Sequence, residues 1–255
     1  MRIDDSDTFR NVSGATESIL ETLHIYGLYW DGPVLYQTDN LQIYQRIVKQ
    51  LINQDLVYPC SCTRKALSTN KTAVYPGFCL KSKVDTNLPH ALRIKSKALE
   101  ISFDDEMQGR QIHSLVQQHG DFIVKRKDNI IAYQLAVVID DSIQNISHVI
   151  RGFDLLDSTP KQIFLQQILG YSTPKYCHIP VIVDPQGHKL SKQTFAQAIS
   201  TKTPEKTLFL LLELLAQKPP VLLKNASVKD LICWAIDNWN SLHLKNKRAI
   251  NREFY

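Results

Sequence analysis

Residues 149–170 read VIRGFDLLDSTPKQIFLQQILG, and three local signals follow one another in this stretch. An apolar run rich in β-branched residues, ISHVIRG (146–152), has the character of a strand or of an element buried on both faces. The loop FDLLDS follows, and then a helix with both ends marked. Thr159 fits the N-cap, Pro160 the first helical position, Gln162 the capping-box partner and Gly170 the C-terminal stop. Strand, loop and helix in this order make a β-loop-α unit.

The same grammar extends in both directions. Upstream, NIIAYQLAVVIDD (129–141) is another β-branched apolar run, again a strand or an element buried on both faces, with Asp140 and Asp141 expected to end a strand and fix neighbouring loops. Downstream, YCHIPVIVD (176–184) reads as a buried strand that closes in the turn DPQG and opens onto HKLSKQ. Residues 13–26 predict a helix with Ser13 as N-cap and Ile19, Leu20, Leu23 and Tyr26 on one face. A second helix is predicted over residues 40–53, where Leu41, Tyr44, Ile47, Val48 and Leu51 repeat at helical spacing. Between residues 58 and about 120 the pattern breaks into short apolar runs, prolines and lysines, which suggests a smaller insert. After residue 200 the chain reads as helical, with starts at Thr203-Pro204 and Ser227. Alternating helices and buried strands predict an α/β fold: a parallel-sheet core, the insert, and a helical C-terminal region.

Bulk properties narrow the function. A chain of 255 residues, 44% hydrophobic and 22% charged, can bury a sizeable core as one large domain or two small ones. Its longest apolar candidate, residues 208–216, contains Glu213 and falls short of the roughly 20 apolar residues that cross a bilayer. The acidic beginning is the reverse of a secretory leader, so a cytosolic protein is expected. The net charge is +5, and the cations cluster at Arg64-Lys65, Lys81 and Lys83, Lys95 and Lys97, 125–127 and 245–252, a distribution compatible with a polyanionic partner. The cysteine count is odd, and Cys60, Cys62 and Cys79 lie close in sequence. In a reducing compartment that grouping favours metal binding or catalysis over disulfides. Cys177 and Cys233 read as ordinary core thiols.

Two stretches carry candidate chemistry. GHKLSKQ (187–193) places Lys189, Ser191 and Lys192 in a loop after a strand, where ammonium groups can hold phosphate oxygens. No base is apparent beside Ser191, which leaves a serine-hydrolase reading little support. The opening, MRIDDSDT, sets Asp4, Asp5 and Asp7 together as a metal cluster, a solvated tail or the exit of a strand. The eight histidines show no metal or triad spacing.

RIDDSDTFR, ILETLHIYGLYWDG, YPCSCTR, IAYQLAVVIDD, VIRGFDLLDSTPKQIFLQQILG and HIPVIVDPQGHKLSKQ, taken in order and spacing, resemble the catalytic part of the class I glutamyl-tRNA synthetases. The resemblance is greatest to their short branch, the glutamyl-Q tRNA(Asp) synthetases, and fades in the last 50 or so residues. It implies a Rossmann-like catalytic domain, with residues 1–57 its first part, 58–120 a zinc-bearing, acceptor-type insert, 121–200 its second part, 201–255 a helical region, and no anticodon-binding domain. KLSKQ is similar to the family's KMSKS loop, which implies that Lys189 and Lys192 steady the phosphates of ATP. Cys60, Cys62, Tyr75 and Cys79 are similar to the zinc site of the short branch. Arg151 and Tyr133 match positions that contact glutamate, and Asp4 matches the acid that holds its ammonium group, where relatives are expected to have Glu. The implied reaction forms glutamyl-adenylate from L-glutamate and Mg²⁺-bound ATP, then esterifies queuosine at the wobble position of tRNA(Asp). A monomeric enzyme is expected. The family's first strand, first helix and HIGH motif are expected ahead of RIDD. The alternatives are a non-catalytic tRNA-binding protein of the same fold, or a piece of a glutamyl-tRNA synthetase.

Overall fold

A computed structural model describes residues 1–68, 74–190 and 198–251. In chain order, β1 (Arg2–Ile3) leads through a turn to α1 (Ala15–Ile25), then β2 (Leu35–Tyr36) and α2 (Leu41–Asn53). β3 (Val57–Cys60), α3 (Arg64–Ser68), β4 (Ala91–Ile94), the hairpin β5 (Glu100–Asp105) and β6 (Gly109–Ser114), and β7 (Ile123–Lys125) follow. The second half holds α4 (Tyr133–Ile143), β8 (His148–Gly152), α5 (Thr159–Leu169), β9 (Lys175–Ile179), β10 (Val181–Val183), α6 (Pro204–Leu214), α7 (Val228–Asn238) and β11 (Ala249–Asn251).

The β8-α5-β9 unit is the parallel crossover expected from residues 149–170. β8 and β9 run parallel, with Val149 opposite Tyr176 and Arg151 opposite His178. α5 sinks into the core, with Ile163, Phe164 and Leu165 buried beside the polar Thr159, Gln162 and Gln166. At roughly 1.5–3 kcal/mol for each fully buried large side chain, these residues anchor the unit. Gly170 ends α5 at φ 71, the left-handed conformation that a glycine stop supplies. The N-terminal signal was read differently by the molecule. Thr159 is the first helical residue, Ser158 sits at the cap, and neither makes a side-chain cap. Instead Thr159 and Gln162 are buried and point into tertiary hydrogen bonds, Gln162 donating to Gln134 at 3.0 Å.

The largest sheet has the order β6-β5-β9-β8, mixing the antiparallel β5-β6 hairpin with parallel pairs. A three-stranded antiparallel sheet, β3-β4-β7, stands beside it, and both contribute to one core that includes Leu51, Ile94, Ile101, Val124, Leu135 and Phe164. Thus residues 58–120 supply strands both to the cysteine-bearing sheet and, through β5-β6, to the larger one. β1 and β2 pair in parallel.

Several local expectations need correction. Residues 129–141 do not end as a strand: Tyr133–Ile143 is a helix whose residues 135–140 are all buried. Its β-branched residues suit either structure, and packing on every side overrides strand propensity. Asp140 and Asp141 therefore lie in its last turn. YCHIPVIVD breaks at Pro180 into β9 and β10. At α1 the cap position belongs to Gly14, with φ 76 and no side-chain cap, rather than to Ser13, and Ile19 is exposed. Cys233 is exposed on α7, whereas Cys177 is buried. The C-terminal region holds α6 and α7, packed through Leu208, Phe209, Leu212 and Leu231, but it also returns β11 to pair in parallel with β10. Pro204 opens α6, and the Ser227 hydroxyl caps α7 by accepting from the Asp230 amide. No helix among the described residues is long and apolar enough to cross a membrane.

Candidate active site and cysteine cluster

Arg151 stands near the carboxyl end of β8, where parallel sheets present groups to ligands. Its Nε donates to His178 Nε2 at 3.0 Å and its Nη2 to Thr159 Oγ1 at 2.7 Å. The guanidinium also lies 5.4 Å from the centre of the Tyr176 ring. Tyr176 is buried, which raises its pKa, and charge on Arg151, Asp141 and Tyr133 acts on it from nearby. Tyr133, at the start of α4, keeps 41% of its surface exposed. Asp154, the ion-pair partner one would first assign to Arg151, is taken by Lys189 at 2.6 Å.

Lys189 follows the turn that Asp184 builds, its carboxylate accepting from the amides of Gln186 and His188 at 3.0 and 2.8 Å. A cavity of 660 Å³ extends from Gly152, Asp154 and Lys189 to Ser200 and the Leu210–Leu214 side of α6. At Gly152 a Cβ would lie 2.5 Å from Asp154 Oδ1, so a side chain there would make Asp154 shift. Lys192 and Ser191 lie outside the described residues.

The three N-terminal carboxylates diverge. Asp4 accepts from Arg2 Nε at 2.8 Å, Asp5 holds the amide and hydroxyl of Thr38 at 3.0 and 2.7 Å, and Asp7 pairs with Arg126 at 2.6 Å. They make no metal cluster among the described residues. Arg2 also reaches Asp141 at 2.7 Å, and Asp4 and Asp141 together hold its pKa above the ordinary value although burial opposes this. Asp140 is fully buried and accepts from Gln37, Asn40 and Tyr44 at 2.9, 3.0 and 2.7 Å, which ties α4 to the turn before α2. The expectation that these acids fix loops is met, from a helix instead of a strand.

The cysteine grouping closes in space. The Sγ atoms of Cys60, Cys62 and Cys79 all lie within 4.8 Å of one another. The Tyr75 hydroxyl is 3.6 Å from both Cys60 and Cys62 and accepts from the Cys79 amide at 2.9 Å. Buried Arg93 donates to Cys60 Sγ at 3.2 Å and stacks 3.7 Å from the Tyr75 ring centre. Burial opposes ionisation of Cys79, but hydrogen bonds from Tyr75, the Ser61 backbone and the other cysteines hold it down to about 6, while burial pushes Cys62 up to about 11. Three soft donors and a phenol converging on one point, with a guanidinium to offset their charge, fit a structural zinc ion. Such an ion would cross-link β3 to the segment around Cys79.

Residues 1–215 match the family model described as tRNA synthetases class I (E and Q), catalytic domain. The chain is 40% identical over 253 residues to the Glutamyl-Q tRNA(Asp) synthetase of Pseudomonas aeruginosa, covering 99% of this chain and 86% of that protein. It belongs to the class I tRNA synthetases, in the glutamyl-Q tRNA(Asp) synthetase family. A protein of the same name from Dechloromonas aromatica is 42% identical over 246 residues, which are 94% of this chain and 82% of the relative. Among solved structures, a glutamate tRNA ligase from Elizabethkingia meningosepticum superimposes with a TM-score of 0.76 at 21% identity. That match covers 99% of this chain but 60% of the ligase, and it establishes the class I catalytic fold.

The chain is therefore a synthetase, an enzyme of the ligase class with an aminoacylation-type function. The class I catalytic fold holds Arg151 on His178 and Thr159, sets Lys189 beside Asp154, and assembles Cys60, Cys62, Tyr75 and Cys79. Sequence reading missed three groups of the site: His178, Asp105 and Thr159. The one available signal was a polar residue, His178, inside the apolar run YCHIPVIV. A buried histidine there needs a partner, and that partner is distant in sequence.

Proposed function

We propose that this synthetase activates L-glutamate with Mg²⁺-bound ATP and transfers the glutamyl group to queuosine at the wobble position of tRNA(Asp). The observation that carries this reading is the 40% identity, along nearly the whole chain, to a relative that bears that name. In the first step an oxygen of the α-carboxylate attacks the α-phosphorus, pyrophosphate leaves, and glutamyl-adenylate forms. In the second a ring hydroxyl of queuosine attacks the activated carbonyl, loses its proton and expels AMP. Both steps need alignment and charge stabilisation more than covalent help.

The residues then take the following roles. The outer end of the Arg151 guanidinium forks onto the side-chain carboxylate of glutamate, and Tyr133 lines the same pocket. Asp4 receives the ammonium group on the oxygen that Arg2 leaves unused. Lys189 exchanges Asp154 for phosphate oxygens, joined by Lys192. Zinc on Cys60, Cys62, Tyr75 and Cys79 holds the insert that meets tRNA, and the enzyme works as a monomer in the cytoplasm.

The test is glutamate-dependent exchange of pyrophosphate into ATP without tRNA, followed by transfer of labelled glutamate. Exchange with glutamate and labelling of queuosine-containing tRNA(Asp) support the reading. Absence of exchange, or labelling of tRNA(Glu) instead, overturns it.

A further inference from the structure

Behind Arg151 lies a buried polar chain that a substrate-binding arginine does not by itself require. Asp105, on the last position of β5, is 3% exposed, while His178 on β9 and Thr159 at the start of α5 are fully buried. Asp105 Oδ2 lies 2.6 Å from His178 Nδ1, and its Oδ1 accepts from the amides of Met107, Gln108 and His178 at 3.0, 2.8 and 3.1 Å. Thr159 Oγ1 is 3.1 Å from His178 Nε2. Three separate elements thus converge on one imidazole.

The donors and acceptors admit a single arrangement. A guanidinium N–H only donates, so His178 Nε2, facing Arg151 Nε, accepts. An ionised carboxylate only accepts, so Nδ1, facing Asp105, carries the proton. Thr159 Oγ1 accepts from Arg151 Nη2 and stands 3.1 Å from His178 Nε2, so any donation from its hydroxyl shares the nitrogen's one lone pair with Arg151 Nε. The imidazole is then neutral, in the Nδ1–H form, and every member of the chain is satisfied, as burial demands.

Two consequences follow for Arg151. Nε and Nη2 both donate to buried partners, so the guanidinium plane is fixed and Nη1 is left for a ligand. Its charge stays uncompensated, because His178 and Thr159 are neutral and Asp105 is separated from it by the imidazole ring; among the described residues no ion pair involves Arg151. A carboxylate in place of His178 would hold the arginine equally firmly but would cancel the charge that draws an anion.

We propose that His178, oriented by Asp105 and assisted by Thr159, is a positioning residue that aims the outer end of Arg151 at the substrate's side-chain carboxylate while leaving its charge intact. The aim at glutamate rests on the functional reading above; the tautomer does not. Gln at position 178 keeps an acceptor near the Nε2 site but loses the donor to Asp105. Asn does the opposite.

The experiment measures KM and kcat for glutamate in the exchange assay, with KM for ATP as control. With His178→Gln, KM for glutamate should remain within about three-fold of the unmodified enzyme. With His178→Asn it should rise about ten-fold or more, as expected for losing a hydrogen bond to a charged group, with kcat and KM for ATP little changed. Rescue by Asn and failure of Gln would assign His178 to holding Asp105 alone and overturn the proposal, as would equal KM values. Should the His178 variants not fold, Thr159→Val against Thr159→Ser repeats the comparison, with the higher KM expected for Val and equal values overturning it. Nitrogen NMR of the imidazole gives a readout independent of substrate: a proton on Nδ1 and a bare Nε2 are expected, and a protonated Nε2 sinks the proposal. If the unmodified enzyme shows no glutamate-dependent exchange, the functional reading fails and takes the aim at glutamate with it, while the tautomer is still decided by NMR.

Discussion

His119 illustrates how surroundings decide the charge of one residue. Its Nε2 is buried without a hydrogen-bond partner, and burial, with the nearby charge of Lys161 and His113, lowers its pKa to about 4. The unfolded chain takes up this proton near pH 6.5, before the folded one does. The group therefore costs nothing above that pH and destabilises progressively as pH falls from 6.5 toward 4, by roughly 2–3 kcal/mol at the end. His119→Gln should lose less stability than the unmodified protein between pH 7 and pH 4.5, as measured by urea midpoints; parallel losses would refute this. At Arg151, replacement by Lys keeps the charge but removes the fork. A rise in KM for glutamate of roughly 30-fold is expected in the exchange assay, with a stability loss of about 1–3 kcal/mol from the bonds to His178 and Thr159. The residue scale also shows where the sequence was readable. Arg151 and Tyr133 stood in recognisable stretches, whereas Asp105 and His178 are separated by 73 residues and no local spacing joins them. Thr159 carried a clear cap signature, yet its hydroxyl found partners in the core that a one-dimensional pattern does not contain.

Among the elements, the turn from β8 into α5 concentrates the constraints. Gly152→Ala sets a Cβ against Asp154 and 3.2 Å from Val181. Asp154 must then move, and its ion pair with Lys189 with it; the expected result is a several-fold change in KM for ATP. Gly170, at the other end of α5, has nothing within 4 Å of the Cβ position, but its φ of 71 penalises any side chain. Gly170→Ala should cost about 1 kcal/mol of stability and leave both KM values unchanged, and the pair of variants separates crowding from backbone strain. Element types were legible where helical spacing or a marked start was present, as for α2, α5, α6 and α7. They were not legible over residues 129–141, because full burial erases the periodicity that distinguishes helix from strand.

For the whole molecule, the cysteine cluster, read as a zinc site, is expected to add a contribution to stability beyond core packing. Its surroundings are a short sheet and a small apolar group of Tyr58, Cys60 and Cys79. Removal of zinc by a chelator is expected to lower the melting temperature by several degrees and to expose β3, β4 and β7 first to hydrogen exchange. Metal analysis giving less than a tenth of an equivalent in fully folded protein would remove the metal from this account. The overall class was readable because helices and strands alternate, but the way the sheets divide was not. Which strands join depends on contacts such as Asp105 with Tyr176, far apart in sequence.

The pairing of β10 with β11 has a consequence for biosynthesis. β10 leads directly into the turn that carries Lys189, and its parallel partner is formed by residues 249–251. A nascent chain can assemble β8, α5 and β9 while translation continues, since all three have already emerged. The edge of β10 stays open until residues 249–251 have cleared the ribosomal tunnel. The turn that carries Lys189 therefore gains its β11 support only after residues 249–251 have emerged, later than the parallel pair that carries Arg151.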